Sequence, residues 1–77
     1  MVAKQDANPL DLLAEDVIPV GHANKHIPGR PSSATIWRWS QRGVRGRDSR
    51  IKLETVRVGG KTYTSLQAIT RFLWGQQ

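Results

Sequence analysis

The chain has no cysteine, few aromatic residues and no long apolar run. Without cysteine it can form neither a disulfide nor a thiolate metal site. Five aromatic rings provide no stacking platform of the kind that RNA-binding domains use. No segment has the length of a membrane span or the apolar centre of a signal peptide. We therefore expect a soluble, cytoplasmic protein that makes no contact with a membrane.

The chain is also short, and 77 residues suffice for one small domain. A domain of this size buries roughly 60 to 65% of the surface that its unfolded chain exposes, so its hydrophobic core is marginal.

Groups for catalysis or metal binding are sparse. His22 and His26 are four residues apart, which is a metal-ligand spacing, but no cysteine or carboxylate provides a third ligand at a helical offset. The carboxylates lie mainly near the N-terminus, so no acid, base and nucleophile converge. We expect no enzyme activity, no metal and no cofactor, and the two histidines are interpreted as surface groups.

Positive charge is concentrated in one part of the chain. Residues 1–20 carry a net charge of −3 and the remainder +9. Such a dense group of cations attracts a polyanion, most often nucleic acid; the alternative is a solvated surface, and on charge alone RNA remains an alternative to DNA. An anionic membrane is disfavoured because no long amphipathic helix accompanies the charge. The cation cluster, eight of the eleven cations beyond residue 20, comprises Arg38, Arg42, Arg45, Arg47, Arg50, Lys52, Arg57 and Lys61.

The stretch from Ser32 to Gly43 predicts one short helix. Ser33 can cap its N-terminus, and Gly43 can adopt the left-handed conformation that closes a helix. At about 100° per residue, Ile36 and Trp39 share an inner face with Gly43. The opposite face carries groups able to meet base edges or phosphates in a DNA groove, namely Trp37, Arg38 and Gln41, together with Ala34.

A second short helix is predicted before this one. Residues 1–16 are interpreted as a flexible acidic segment with at most one helical turn, which begins at Asn8-Pro9. Residues 17–20 are expected to be extended because of Pro19. Residues 21–27 predict a short helix that ends at Pro28-Gly29. Two short helices joined by a turn form a helix-turn-helix.

A basic hairpin and a last helix are predicted after it. Residues 44–50 read as a loop and residues 51–58 as one strand with a bulge near Glu54-Thr55. Gly59-Gly60 predicts a hairpin turn into a return strand at 61–64. Thr64 as cap, with Gln67 at the third helical position, opens a helix to about Trp74, and residues 75–77 should fray. The predicted core comprises Val20, Ala23, Ile27, Ile36, Trp39, Leu53, Val56, Val58, Tyr63, Leu66, Ile69, Phe72 and Leu73.

This order of elements resembles the reduced winged helix of phage excisionases and MerR-like regulators, and bacterial proteins of that excisionase-like kind. The run Thr35-Ile36-Trp37-Arg38-Trp39-Ser40 followed by Gly43 is similar to the excisionase recognition-helix pattern. The run Arg57-Val58-Gly59-Gly60-Lys61-Thr62-Tyr63-Thr64-Ser65 is similar to the wing that leads into the final helix. The resemblance covers residues 17–74. Trp37 stands where the family often has Arg or Tyr, which favours stacking on sugar or on the wing.

The resemblance implies an α+β winged helix-turn-helix that binds double-stranded DNA. Trp37, Arg38 and Gln41 would enter the major groove, and the expected phosphate and wing contacts are Ser33, Thr35, Arg42, Arg45, Arg57 and Lys61. A single module of this kind buries about 600 to 1,000 Å², so we expect a monomer whose specificity needs cooperative copies or a partner protein. The process could be excision (recombination), transcription regulation or phage packaging. The alternative function is a protein-interaction adaptor with a solvated basic face.

Overall fold

The computed structural model describes residues 9–77, which form an α+β arrangement of short helices and antiparallel strands. The first eight residues of the predicted flexible segment, with Asn8 at the predicted start of its helical turn, lie outside these residues. Within residues 9–77 the helices are too short and too polar to cross a membrane. In chain order the elements are a first 3-10 helix (Pro9–Ala14), β1 (Val17–Pro19), a second 3-10 helix (Val20–His26), α1 (Ser33–Gln41), β2 (Val44–Arg45), β3 (Arg50–Ile51), β4 (Val56–Val58), β5 (Lys61–Ser65) and α2 (Leu66–Trp74).

The three-stranded sheet has the order β1-β5-β4, and both pairs are antiparallel. The extended conformation predicted for residues 17–19 is confirmed, whereas residue 20 already begins the second 3-10 helix. The pairing of β1 with β5 was not predicted. It joins Val17 to Ser65, two residues far apart in the chain, and local sequence patterns carry no information about such a partner.

The Gly59-Gly60 turn between β4 and β5 is confirmed. The two glycines have φ values of +58° and +82°, the positive values that a two-residue hairpin turn matching the strand twist requires.

The segment 44–58 differs from the prediction of a loop followed by one strand. β2 pairs with β3 in a small hairpin of its own, and residues 52–55 separate β3 from β4. The interruption includes the predicted bulge positions. It arises because Leu53 turns into the core, where only 2% of it is exposed, while its backbone N–H donates to the Trp39 carbonyl at 3.1 Å.

Two clusters of buried side chains form the core. Most predicted core positions are confirmed as buried or half-buried. Val58 is wrong, since it lies at the tip of the β4–β5 hairpin and is 46% exposed. Leu12 and Ala68 are buried without having been predicted. The main cluster is Ala23, Ile27, Ile36, Leu53, Ile69 and Phe72, and the second is Leu12, Val56 and Ala68.

Both helix caps lie one residue away from the predicted ones. Ser32, not Ser33, caps α1, because its hydroxyl accepts from the Thr35 N–H. Ser65, not Thr64, caps α2 by accepting from the Ala68 N–H at 2.8 Å. Thr64 is the last-but-one residue of β5, and its hydroxyl is used in donating to the Glu54 carbonyl.

Gln67 also has a different role from the predicted one, because its amide binds Asp16 rather than the helix cap. The side-chain nitrogen donates to the Asp16 carboxylate at 2.7 Å, and the side-chain oxygen accepts from the Asp16 N–H at 3.0 Å. This pair of hydrogen bonds joins the N-terminal segment to the first turn of α2.

An ion-pair network joins the N-terminal segment to α2. Arg71 donates to Glu15 and to Glu54, with a shortest distance of 2.8 Å in each pair, and Ser65 donates to Glu15 at 2.6 Å. Hydrogen bonds from Arg71 and then from Ser65 lower the pKa of Glu15. Together with the burial of Leu12, these contacts attach residues 9–16 to the body that the sequence had placed at 17–74.

Candidate nucleic-acid interface

The orientation of α1 is set by its inner face. Ile36 is 1% exposed, and the Trp39 ring lies 5.1 Å from the Phe72 ring, centroid to centroid. The predicted faces are confirmed, because the side chains of Trp37, Arg38 and Gln41 point away from this core and are exposed.

The outer face of α1 leaves its cation available. Within residues 9–77 the Arg38 side chain makes no hydrogen bond or ion pair. Its neighbour Gln41 makes one long hydrogen bond, 3.4 Å, to the Ser40 hydroxyl, which itself donates to the Trp37 carbonyl. Trp37 is 46% exposed. The Arg38 guanidinium, the Gln41 amide with its one long hydrogen bond, and the Trp37 indole therefore lie on one exposed surface of α1.

The two residues predicted to bind phosphate in the first turn of α1, Ser33 and Thr35, differ in their accessibility. Ser33 is exposed, with no side-chain hydrogen bond in the described part of the chain. Thr35 is half-buried, and its hydroxyl lies 3.0 Å from the Ser32 hydroxyl. Ser33 is thus accessible to a ligand, whereas the Thr35 hydroxyl already belongs to the cap.

Arg50 completes the C-terminal end of α1. Its guanidinium donates to the carbonyl oxygens of Arg42, at 2.7 Å, and Gly43, at 3.4 Å. These carbonyls carry the partial negative charge of a helix end, which a cation neutralises. Gly43 has φ +76°, as predicted for the closing residue, and a Cβ there would collide with the Ile51 carbonyl. Sequence reasoning missed the role of Arg50, which no local pattern signals.

The exposed side chain of Arg42 follows directly on α1, whereas Arg45 lies on another element, the β2–β3 hairpin. Arg57 and Lys61 lie on the β4–β5 hairpin, and both are exposed. The register pairs Arg57 with Thr62 and Val58 with Lys61. Because successive side chains alternate between faces, Arg57 and Lys61 point to opposite faces of this ribbon. The β4–β5 hairpin thus presents one cation on each of its two faces.

The cation cluster has little negative charge near it. Within residues 9–77, Arg47 is its one member with a carboxylate inside 4 Å, and that pair, with Asp48 at 3.9 Å, is strongly exposed. Glu15 and Glu54 are both bound by Arg71, outside the cluster. The cluster therefore keeps an unneutralised positive field, which favours an anionic partner.

The described residues hold no group of three side chains suited to a metal ion, and His22 and His26 are exposed.

Comparisons with curated proteins and with solved structures gave no significant match. A family model described as "Protein of unknown function (DUF1580)" matches residues 19–77. Because this match runs from the last residue of β1 to the C-terminal residue and takes in more than half of the chain, the protein belongs to the DUF1580 family.

Proposed function

We propose that this protein binds duplex DNA as a winged helix-turn-helix, with α1 as the recognition helix. One observation carries the proposal: the inner face of α1 is held in the core, while its outer face presents an arginine with no partner among the described residues, beside an amide and an indole. A helix fixed in this way inserts into the major groove without ordering its backbone first, which lowers the entropy cost of binding.

The three outer side chains would divide the work in the groove. Arg38 has the fork geometry to donate two hydrogen bonds to guanine, and Gln41 can pair with adenine in the same manner. Trp37 would lie along a sugar or against the neighbouring hairpin. Ser33 at the start of α1 and Arg42 at its end would hold phosphates, and these contacts set the register of the helix on the duplex.

The β4–β5 hairpin would act as the wing. Arg57 and Lys61 lie on its two faces, so one can reach a flanking phosphate while the other enters the minor groove. The module is small, and specificity in the cell would come from cooperative copies or a partner protein. Excision, transcription regulation and phage packaging are all processes that such a module serves.

A titration against random duplex DNA at several salt concentrations tests the proposal. If four to six phosphates are neutralised, log K should fall against log salt with a slope of about −4 to −5. A flat salt dependence, or no binding at low salt, would contradict DNA binding and favour the protein-interaction adaptor.

The variant Arg38→Ala tests the assignment of the recognition helix. On a selected site it should cost about 1 to 3 kcal/mol and relax the base preference, while the melting temperature stays unchanged because the side chain has no partner within residues 9–77. The matched control is Lys25→Ala, which removes one exposed cation from the second 3-10 helix. If both variants keep the same base preference as the parent, α1 does not read the sequence.

A further inference from the structure

We propose that the β2–β3 hairpin is a second DNA contact, distinct from α1 and from the β4–β5 wing. In it, Arg45 and Arg47 each hold a phosphate of the DNA backbone beside the C-terminal end of α1. This inference rests on the proposed DNA binding and adds a phosphate-binding element to it.

The β2–β3 hairpin has one face toward the core and one outer face. Val44 pairs with Ile51, and both side chains pack against the main core cluster. Arg45 pairs with Arg50, and side chains at adjacent strand positions point to opposite faces. The two arginines therefore project together on the outer side of the hairpin.

One of these two cations, Arg50, is already bound within the protein. Like charges directly opposite each other across a ladder are unfavourable. Arg50 binds the carbonyl oxygens at the end of α1, which compensates its charge. Arg45 has no such partner within residues 9–77. A phosphate would complete the pairing of charges on this face.

The loop of the β2–β3 hairpin is held in place by two backbone hydrogen bonds. The Gly46 N–H donates to the Ser49 carbonyl at 2.8 Å and closes the loop. The Arg47 N–H donates to the Gly75 carbonyl at 2.8 Å, which ties the loop to the end of α2. A Cβ on Gly46 would lie 2.7 Å from one of these carbonyl oxygens and 2.9 Å from the other. A loop ordered in this manner loses little conformational freedom when it binds a ligand.

The chemistry of the loop fits a phosphodiester. Residues 45–50 line an open cleft of about 530 Å³. The side chain of Arg47 is 75% exposed, and its ion pair with Asp48 is long and solvated, so it is easily exchanged for a stronger anion. Free guanidinium forks match the geometry of phosphate oxygens. The Asp48 carboxylate repels such a ligand. Removing its charge should therefore strengthen phosphate binding rather than weaken it.

The position of the hairpin selects the DNA backbone as the source of the phosphate. β2 begins one residue after Gly43, directly behind the C-terminal end of α1. A helix that lies in the major groove has a phosphate strand on each side, so an element at its end meets the flanking backbone.

The experiment measures the salt dependence of random-duplex binding for the double variant Arg45→Ala/Arg47→Ala. Its slope should be smaller than that of the parent by about two, because two phosphate contacts are lost. The charge-retaining variant Arg45→Lys/Arg47→Lys should keep the parental slope. Asp48→Asn should bind more tightly than the parent at every salt concentration. Lys25→Ala is the control for the loss of one charge elsewhere.

The outcomes separate this inference from the proposed function. If the parent binds DNA and the folded double variant keeps its slope, the hairpin contact is overturned while the proposed function stands. The single variant Arg45→Ala is measured beside Lys25→Ala, since each removes one charge. If both lower the slope equally, the effect is one of net charge and the contact is also overturned. A changed base preference in the double variant would refute the phosphate assignment. A parent that binds no DNA would overturn both.

Discussion

Replacing Arg71 with methionine should show how strongly the N-terminal segment is joined to the rest of the protein. The guanidinium makes two hydrogen bonds to each of Glu15 and Glu54, at distances of 2.8 to 3.1 Å. It therefore connects the segment after the first 3-10 helix, the 52–55 segment and α2. Arg71→Met keeps the aliphatic stem and removes only the charge and these hydrogen bonds.

The expected loss of stability is modest because the network is partly solvated. The side chains of Arg71, Glu15 and Glu54 are 46%, 24% and 40% exposed, so solvent screens their attraction. Pairs of this exposure contribute about 0.2 to 1 kcal/mol each, and the bidentate geometry places these at the upper end. The variant should lose about 1 to 2 kcal/mol, which for a domain of this size lowers the melting temperature by about 5 to 15 °C.

The pH dependence has a definite sign. Arg71, and then Ser65, lower the pKa of Glu15 from its ordinary value of 4.5 by hydrogen bonding to the ionised carboxylate. A depressed carboxyl pKa stabilises the folded state above the unfolded value, and this contribution is lost as the pH falls through the folded pKa. Glu54, and then Glu15, raise the pKa of Arg71, so the guanidinium stays protonated throughout. The parent should lose stability below about pH 4.5 more steeply than the variant.

Thermal unfolding followed by circular dichroism at neutral pH and near pH 3 measures both effects. Glu15→Gln, combined with Arg71→Met, forms a double-mutant cycle that isolates the coupling of the two side chains. Arg57→Met is the matched control, an exposed arginine that has no carboxylate partner in the described residues. A melting temperature within about 1 °C of the parent at neutral pH would refute the stabilising role of Arg71. A difference in melting temperature that persists unchanged near pH 3 would refute the role of the Glu15 charge.

Three further predictions concern the core, a helix end and the wing. Trp39→Ala removes the ring that packs on Phe72 and should cost about 3 kcal/mol, and a cooperative melt near the parental temperature would contradict the inner face of α1. Gly43→Ala should destabilise the fold by more than about 2 kcal/mol in denaturant titrations, because its Cβ would collide with the Ile51 carbonyl; a loss below about 1 kcal/mol would show that this end of α1 can move. Lys61→Ala should weaken binding to all duplexes alike and lower the salt slope by about one, whereas a change in base preference would make the wing a reading element.

Elements whose causes are local could be predicted from the sequence alone. Gly43 marks the C-terminal end of α1, and the period of 3.6 residues separates Ile36 and Trp39 from Trp37 and Arg38. The Gly59-Gly60 turn also has a local cause, because few residues other than glycine tolerate two consecutive positive φ values. Each of these features depends on residues within one turn or one hairpin of each other.

The choice between neighbouring candidates was made by tertiary structure. Two adjacent residues could cap each helix, and in the structure the caps are Ser32 and Ser65. Thr64 is part of β5, where its hydroxyl donates to the Glu54 carbonyl. The β-branched residues from Ile51 to Val58 predicted one strand with a bulge near Glu54-Thr55, but residues 52–55 interrupt the strand, and Leu53 turns into the core.

The roles of the arginines were likewise decided only by the fold. Eight cations between residues 38 and 61 look alike in the sequence. In the structure, Arg50 binds the backbone carbonyls of Arg42 and Gly43 at the C-terminal end of α1. Arg71, which lies outside that group, binds two carboxylates, and one of them is 56 residues away in the chain. Charge interactions depend on the distance between two groups in space, and that distance is known only once the whole chain has folded.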